Sequence, residues 1–172
     1  MRMNDRMSRL TGGHLPVPRV DDVPTVYRAI AEQGWFVDEG GACLLSALKA
    51  GHTGEDSDAF EDVVHFEATV NGRGMMDYDL PASGPDRQRL LLRRSLAYAC
   101  LALHSAPNDS PHPILGYVSL SEGGLSGNTL TANVTFCTSR PDLPPYVDDI
   151  DACSEEALLE LSRADIVCLL KG

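Results

Sequence analysis

Residues 96–103 read Leu-Ala-Tyr-Ala-Cys-Leu-Ala-Leu, eight consecutive residues without a charge, an amide or a glycine. They close a stretch that begins at Asp86 and carries Arg87, Arg89, Arg93 and Arg94 in its first half. The spacing predicts one long helix from about residue 86 to about residue 104, with Asp86 at its positive end. A helix apolar on every side is a buried helix, so the rest of the chain must supply layers around it. Its arginine half must reach the surface.

The chain has 172 residues, the size of one domain. Only 6% of residues are aromatic, so Leu, Val, Ala and Met must fill most of the core. Residues 1–20 are polar, glycine-containing and aperiodic, and are expected to form a flexible tail before a single domain over 21–172. Asp22 is a good N-cap with Pro24 in the following turn, which starts a first helix. Val23, Val26, Tyr27 and Ile30 form its apolar stripe and Gly34 its stop. A second helix is expected over Ala42–Ala50, ended by Gly51. Trp35-Phe36-Val37 lies between the two as a bend with aromatic anchors.

Residues 51–62 form an acidic loop, and then the period changes to two. Val64, Phe66, Ala68 and Val70 alternate with His65, Glu67 and Thr69, and Met76, Tyr78 and Leu80 with Asp77 and Asp79. This predicts a hairpin over 63–80. A two-residue turn at Asn71-Gly72 would set Phe66 opposite Asp77, which exposes a core position to a carboxylate. A three-residue turn over Gly72–Gly74 sets Phe66 opposite Leu80 and is preferred, because burying the charge costs more than the better turn gains. A second hairpin is expected from 114–120 and 130–136, where Leu130, Ala132, Val134 and Phe136 alternate with Thr131, Asn133 and Thr135. A proline-stiffened link then leads to a last helix starting near Asp151 or Ser154, with residues 165–170 open between helix and strand.

The expected fold class is α+β, with an antiparallel sheet of two hairpins packed against helices on one face, in the order ααββαββα. This order, with the acidity and the length, resembles the small acidic chaperones of type III secretion; no motif residue enters the resemblance.

The five cysteines, Cys43, Cys100, Cys137, Cys153 and Cys168, are widely spaced and mostly inside apolar runs. No Cys-x-x-Cys occurs, so they are read as free thiols of a reducing compartment. The N-terminus lacks the apolar stretch of a signal peptide and no window approaches the length of a membrane span, so a cytoplasmic location without membrane contact is expected. No Gly-x-Ser-x-Gly occurs; Gly124-Leu-Ser126-Gly127 comes nearest but lies between two strands. Gly123-Gly124-x-x-Gly127 leads into a strand, unlike a phosphate loop, and reads as a turn. His14, His52, His65, His104 and His112 are isolated in sequence, and the acids of residues 55–62 lack the order of a calcium loop. No catalytic residue, metal or cofactor is predicted.

Net charge is −11, and residues 21–80 hold thirteen acids against three bases. That balance disfavours nucleic acid and favours encounter with a basic protein. The leading expectation is a non-enzymatic acidic protein-binding module: an inhibitor, an immunity protein or a secretion chaperone. Trp35 and Phe36 would anchor the partner, and Glu55, Asp56 and Asp58 would steer it. A homodimer is compatible with this. The alternative is a small enzyme or ligand-binding protein with a pocket between sheet and helices. Its polar site would draw on His65, Glu67, Asp77 and Asp79, which share one face of the predicted first hairpin; paired carboxylates can share a proton and act as acid and base. Arg87 and Arg94, seven residues apart on one helix face, are expected to pair with nearby acids.

Overall fold

The computed structural model describes residues 1–123 and 129–169. The Gly124-Leu-Ser126-Gly127 segment, Leu170 and the side chain of Cys168 lie outside them. The elements run β1 (Arg2–Met3), α1 (Asp5–Thr11), α2 (Thr25–Glu32), β2 (Trp35–Val37), β3 (Cys43–Leu45), α3 (Ser46–Ala50), α4 (Val63–Val70), β4 (Arg73–Gly74), α5 (Pro85–His104), β5 (Ile114–Gly123), β6 (Thr129–Thr138), β7 (Ala157–Ser162) and α6 (Arg163–Leu169). Five strands form an antiparallel sheet in the order β1-β7-β5-β6-β4, and β2 pairs with β3 in a small second sheet. The protein is α+β.

The long helix forms where the sequence places it. Pro85 occupies its first turn, where the missing N–H has no partner to lose. Leu91, Leu96, Tyr98, Ala99, Ala102 and Leu103 are fully enclosed. One side of α5 rests on Val118, Leu120, Val134, Phe136, Leu159 and Leu161 of the sheet, while Tyr27 and Ile30 of α2 complete its cover. The Tyr98 ring sits 5.1 Å from Tyr27 and 5.7 Å from Phe136 in edge contacts. Burial of each large side chain contributes roughly 1.5–3 kcal/mol. Gly116 permits this close seating, since a Cβ there would stand 3.1 Å from the Phe136 ring and 3.2 Å from Leu103.

The hairpin of β5 and β6 also follows the sequence, and it is longer than expected, with Val118 opposite Val134 and pairing out to Gly123 and Thr129. Ala132, Val134 and Phe136 face α5. Strand alternation puts Thr131, Asn133 and Thr135 on the other side.

The first expected hairpin is not there. Residues 63–70 are the helix α4, and only Arg73 and Gly74 add to the sheet, opposite Val134 and Asn133. Phe66 therefore has no strand partner at Leu80. The alternation misleads because α4 is mostly enclosed: Val64, Phe66, Glu67, Ala68 and Val70 are all buried, and its polar side is reduced to His65 and Thr69, too short to mark a helical period. The overlooked signal is Asp62, whose side chain accepts a hydrogen bond from His65 N and caps the helix. α4 also breaks the expected one-sided arrangement. Its Val64 and Ala68 pack with Tyr117, Cys137 and Leu158, on the sheet face opposite α5, together with Leu143, Tyr146 and Ile150.

Four further expectations are corrected. Residues 2–11 are not a tail: β1 pairs with β7, Met7 is fully buried, and the Asn4 side chain caps α1 while bonding Leu158 N and the carbonyls of Cys153 and Glu156. An element of seven residues is too short to show a period. Residues 42–50 divide into strand β3 and the short α3, and residues 35–37 are a strand and not a bend. The C-terminal helix expected from Asp151 or Ser154 is replaced by a single turn at Ile150–Ala152 followed by β7. β7 is buried on both faces and reads as a continuous apolar run, which periodicity alone does not separate from a helix. Of residues 165–170, those through Leu169 are helical.

Candidate protein-binding face

The small β2–β3 sheet is built by its turn. Asp38 Oδ1 accepts from Ala42 N at 2.8 Å, Asp38 O accepts from Gly41 N at 3.0 Å, and Gly41 takes φ 80°, which a glycine adopts without strain. Two strands of three residues do not persist alone in water. α4 supplies what is missing. Glu67 Oε1 accepts from Cys43 N at 2.8 Å. Asn71 Oδ1 accepts from Leu45 N at 2.8 Å, and its amide donates to Cys43 O at 3.0 Å and Phe136 O at 3.1 Å. Glu67 and Asn71 are four residues apart, so they project from one side of α4. They join the edge of β3 to the edge of β6 where backbone would otherwise pair.

Glu67 is wholly buried, and both of its carboxyl oxygens are engaged. Oε2 accepts from Thr138 N at 2.6 Å and Thr138 Oγ1 at 2.7 Å, and Arg140 Nη2 lies 2.9 Å from Oε1 while also donating to Gly41 O at 2.6 Å. A buried carboxylate persists only when paired and hydrogen-bonded in this manner. The sequence offers Asn71 only as a turn residue, does not mark Arg140, and places Glu67 on the polar face of a hairpin; an acid between Phe66 and Ala68 is the available signal.

The aromatic pair divides. Trp35 belongs to the core: Nε1 donates to Ala102 O at 2.9 Å, and the ring meets Phe136 edge-on at 5.6 Å. Phe36 is 38% exposed and pairs across the small sheet with Leu44. Leu44 packs with Ala42, Phe66 and Val70, and Phe60 borders the same cluster, 5.4 Å from Phe66. Phe60 closes the acidic loop, in which Glu55, Asp56 and Asp58 are all exposed. Phe36 is linked to this small apolar cluster through its pairing with Leu44, and the acidic loop is linked to it through Phe60.

The other candidates separate. His65 lies on α4 with Nδ1 3.0 Å from Asp62 Oδ1, and Tyr146 stands edge-on to it at 5.9 Å. Burial pushes the Asp62 carboxyl up, and the hydrogen bonds from His65 outweigh it, holding the group below its ordinary range. Asp77 pairs with the buried Arg87. Asp79 takes a two-pronged contact from Arg94 at 2.8 and 2.6 Å, which holds its carboxyl down at about 2. His65, Glu67, Asp77 and Asp79 have different partners and no common face. Arg87 and Arg94 do pair with acids, and in doing so they fasten residues 76–81 to α5.

A cavity of about 570 Å³ lies between the end of α5, residues 106–114 and the start of α6. His112, Ser162 and Arg163 line it, but Arg163 is turned to Ala106 O at 2.8 Å, and His65, Asp77 and Asp79 are elsewhere. Among the described residues no group of three His, Cys, Asp or Glu side chains could hold a metal ion, and no helix is long and apolar enough to cross a membrane. Comparison with protein-family models, with curated proteins and with solved structures finds no match to the chain.

Proposed function

We propose that the protein is a non-enzymatic binding module that holds a basic protein partner on the face formed by Phe36 and the acidic loop. One observation carries the reading. Arg2, Arg87, Arg93, Arg94 and Arg140 each pair with an acid from another part of the fold. Among the described residues Glu39, Glu55, Asp56, Asp58 and Glu61 are exposed and have no such pair. These five arginines are engaged within the molecule, and these five acids are left for encounter with something else. Complementary charge raises association rate and selects partners, while a few apolar anchors hold them.

A pull-down from the source cell, followed by association kinetics across salt, tests this. Association should slow several-fold between about 0.1 M and about 1 M salt, where the screening length falls from about 10 Å to about 3 Å. Replacing Glu55, Asp56 and Asp58 with Gln and Asn should reproduce part of the slowing. Equal rates at both salt concentrations, unaltered by the triple change, would leave the acids with a role in solubility alone.

A further inference from the structure

Hydrogen-bond parity distinguishes the two edges of the small sheet. Ser46 N donates to Gly34 O and Asp38 N to Ala42 O, both at 3.0 Å, on either side of the Phe36–Leu44 pair. In an antiparallel pair the bonded residues alternate, so Phe36 turns its backbone groups toward β3, and Trp35 and Val37 turn theirs away. On β3 the same parity sends Cys43 and Leu45 outward, where Glu67 and Asn71 meet them. β2 has no equivalent. Its one strand neighbour is β3, and among the described residues no hydrogen bond beyond that pairing reaches the N–H or C=O of Trp35 or Val37. Val37 is 48% exposed beside Phe36. An open edge of this kind is a template for another strand.

We infer that the outer edge of β2 receives an extended basic segment of the partner, added as a third strand; the sign of the segment's charge rests on the function proposed above, the open edge does not. Residues 32–48 contain Glu32, Asp38 and Glu39 and no Lys or Arg. A second copy of the chain would bring these acids against themselves at a net charge of −11 each. A strand with alternating basic residues would instead meet them while its backbone bonds Trp35 and Val37, and an apolar residue would cover Phe36.

The test titrates isotope-labelled protein with the peptide acetyl-Lys-Val-Lys-Thr-Lys-Val-Lys-amide and follows the backbone amide signals. The signals of Trp35 and Val37 should move, and the counterpart peptide with Glu in place of Lys should leave them still. Val37→Pro removes an outward N–H, leaves the inward bonds of Phe36 and Asp38 intact, and places proline where edge strands accept it. It should weaken binding about tenfold, equivalent to about 1.4 kcal/mol, against less than about threefold for Val37→Ala, which keeps the N–H. Should Val37→Pro fail to fold, the same peptide N-methylated at alternate amides, titrated into the unaltered protein, must show the loss instead. Movement confined to residues 55–61 would overturn strand addition and leave the acidic binding face standing. Equal response to the Glu peptide would uphold the open edge and remove the preference for a basic segment. Signals of β2 that move with protein concentration alone would assign the edge to a second copy and overturn the inference, as would no movement at all.

Discussion

Arg140 Nη2 stands 2.9 Å from Glu67 Oε1, and no part of Glu67 is exposed to water. Removing one member of a buried ion pair leaves the other uncompensated, at a cost of about 3–5 kcal/mol. Arg140→Ala should lose that much in urea unfolding. Glu67→Gln should lose less, because its oxygen can still accept from Cys43 N or from Thr138. A loss below about 1 kcal/mol for Arg140→Ala would mean that water reaches the carboxylate after a small rearrangement.

Asn71→Ala would strand the N–H of Leu45 and the carbonyls of Cys43 and Phe136. Each group that water cannot reach costs about 1–3 kcal/mol. Thr135→Val removes one hydroxyl donor to Ala68 O and should cost much less. Equal losses for the two variants would show that the amide of Asn71 joins nothing.

Acid should destabilise the protein over a defined range. Burial pushes the carboxyls of Asp22, Glu160 and Asp165 up, but Arg93, Arg2 and the N-terminal ammonium with Ser162 outweigh it and hold each below its ordinary value. Asp62 behaves likewise through His65. Such groups bind protons more weakly when folded than when unfolded, so their stabilisation is complete above the unfolded values and fades as pH falls through the folded ones. The urea midpoint should drop between about pH 5 and about pH 2. Asp22→Asn should remove part of that slope, and a midpoint constant over this range would contradict the ion pairs.

Thiol chemistry should sort the described cysteines by burial. Burial pushes Cys43 up to about 12, with the nearby Glu67 adding to it, and Cys100 up to about 11; burial pushes Cys137 upward as well. The thiolate is the reactive form, so these three should resist alkylation in the native protein at neutral pH and react on unfolding. Cys153, partly exposed, should react first. Mass spectrometry of the labelled peptides gives the order, and early labelling of Cys43 would indicate that β3 opens readily.

The sequence was legible where one environment acts along a whole element. Residues 96–103 could only be a buried helix, and Ala132, Val134 and Phe136 could only be one face of a strand whose other face is Thr131, Asn133 and Thr135. It misled where burial is complete on a short element. Along β7 no solvent-facing side records the period, along α4 only His65 and Thr69 do, and local chemistry separates helix from strand. Asp62 was that chemistry for α4. Among the candidate residues, the exposure of the acidic loop follows from its composition, whereas the exposure of Phe36 and the inward turn of Trp35 depend on the folded surroundings, for Trp35 on Ala102 and Phe136, remote in sequence. The bridging roles of Glu67 and Asn71 depend on two strand edges that exist only in the folded chain.

The Asn71 amide inserts one side-chain peptide group between two sheets, which ties their lifetimes together. The amide protons of Cys43 and Leu45 are held by α4 and not by a neighbouring strand. They can exchange with solvent only when α4 lifts away, so their protection should match that of the α4 backbone itself. The small sheet, α4 and the adjoining end of β6 then form one cooperative opening unit. A partner that adds a strand at β2 would therefore be felt as slower exchange along α4, although it touches no residue of that helix.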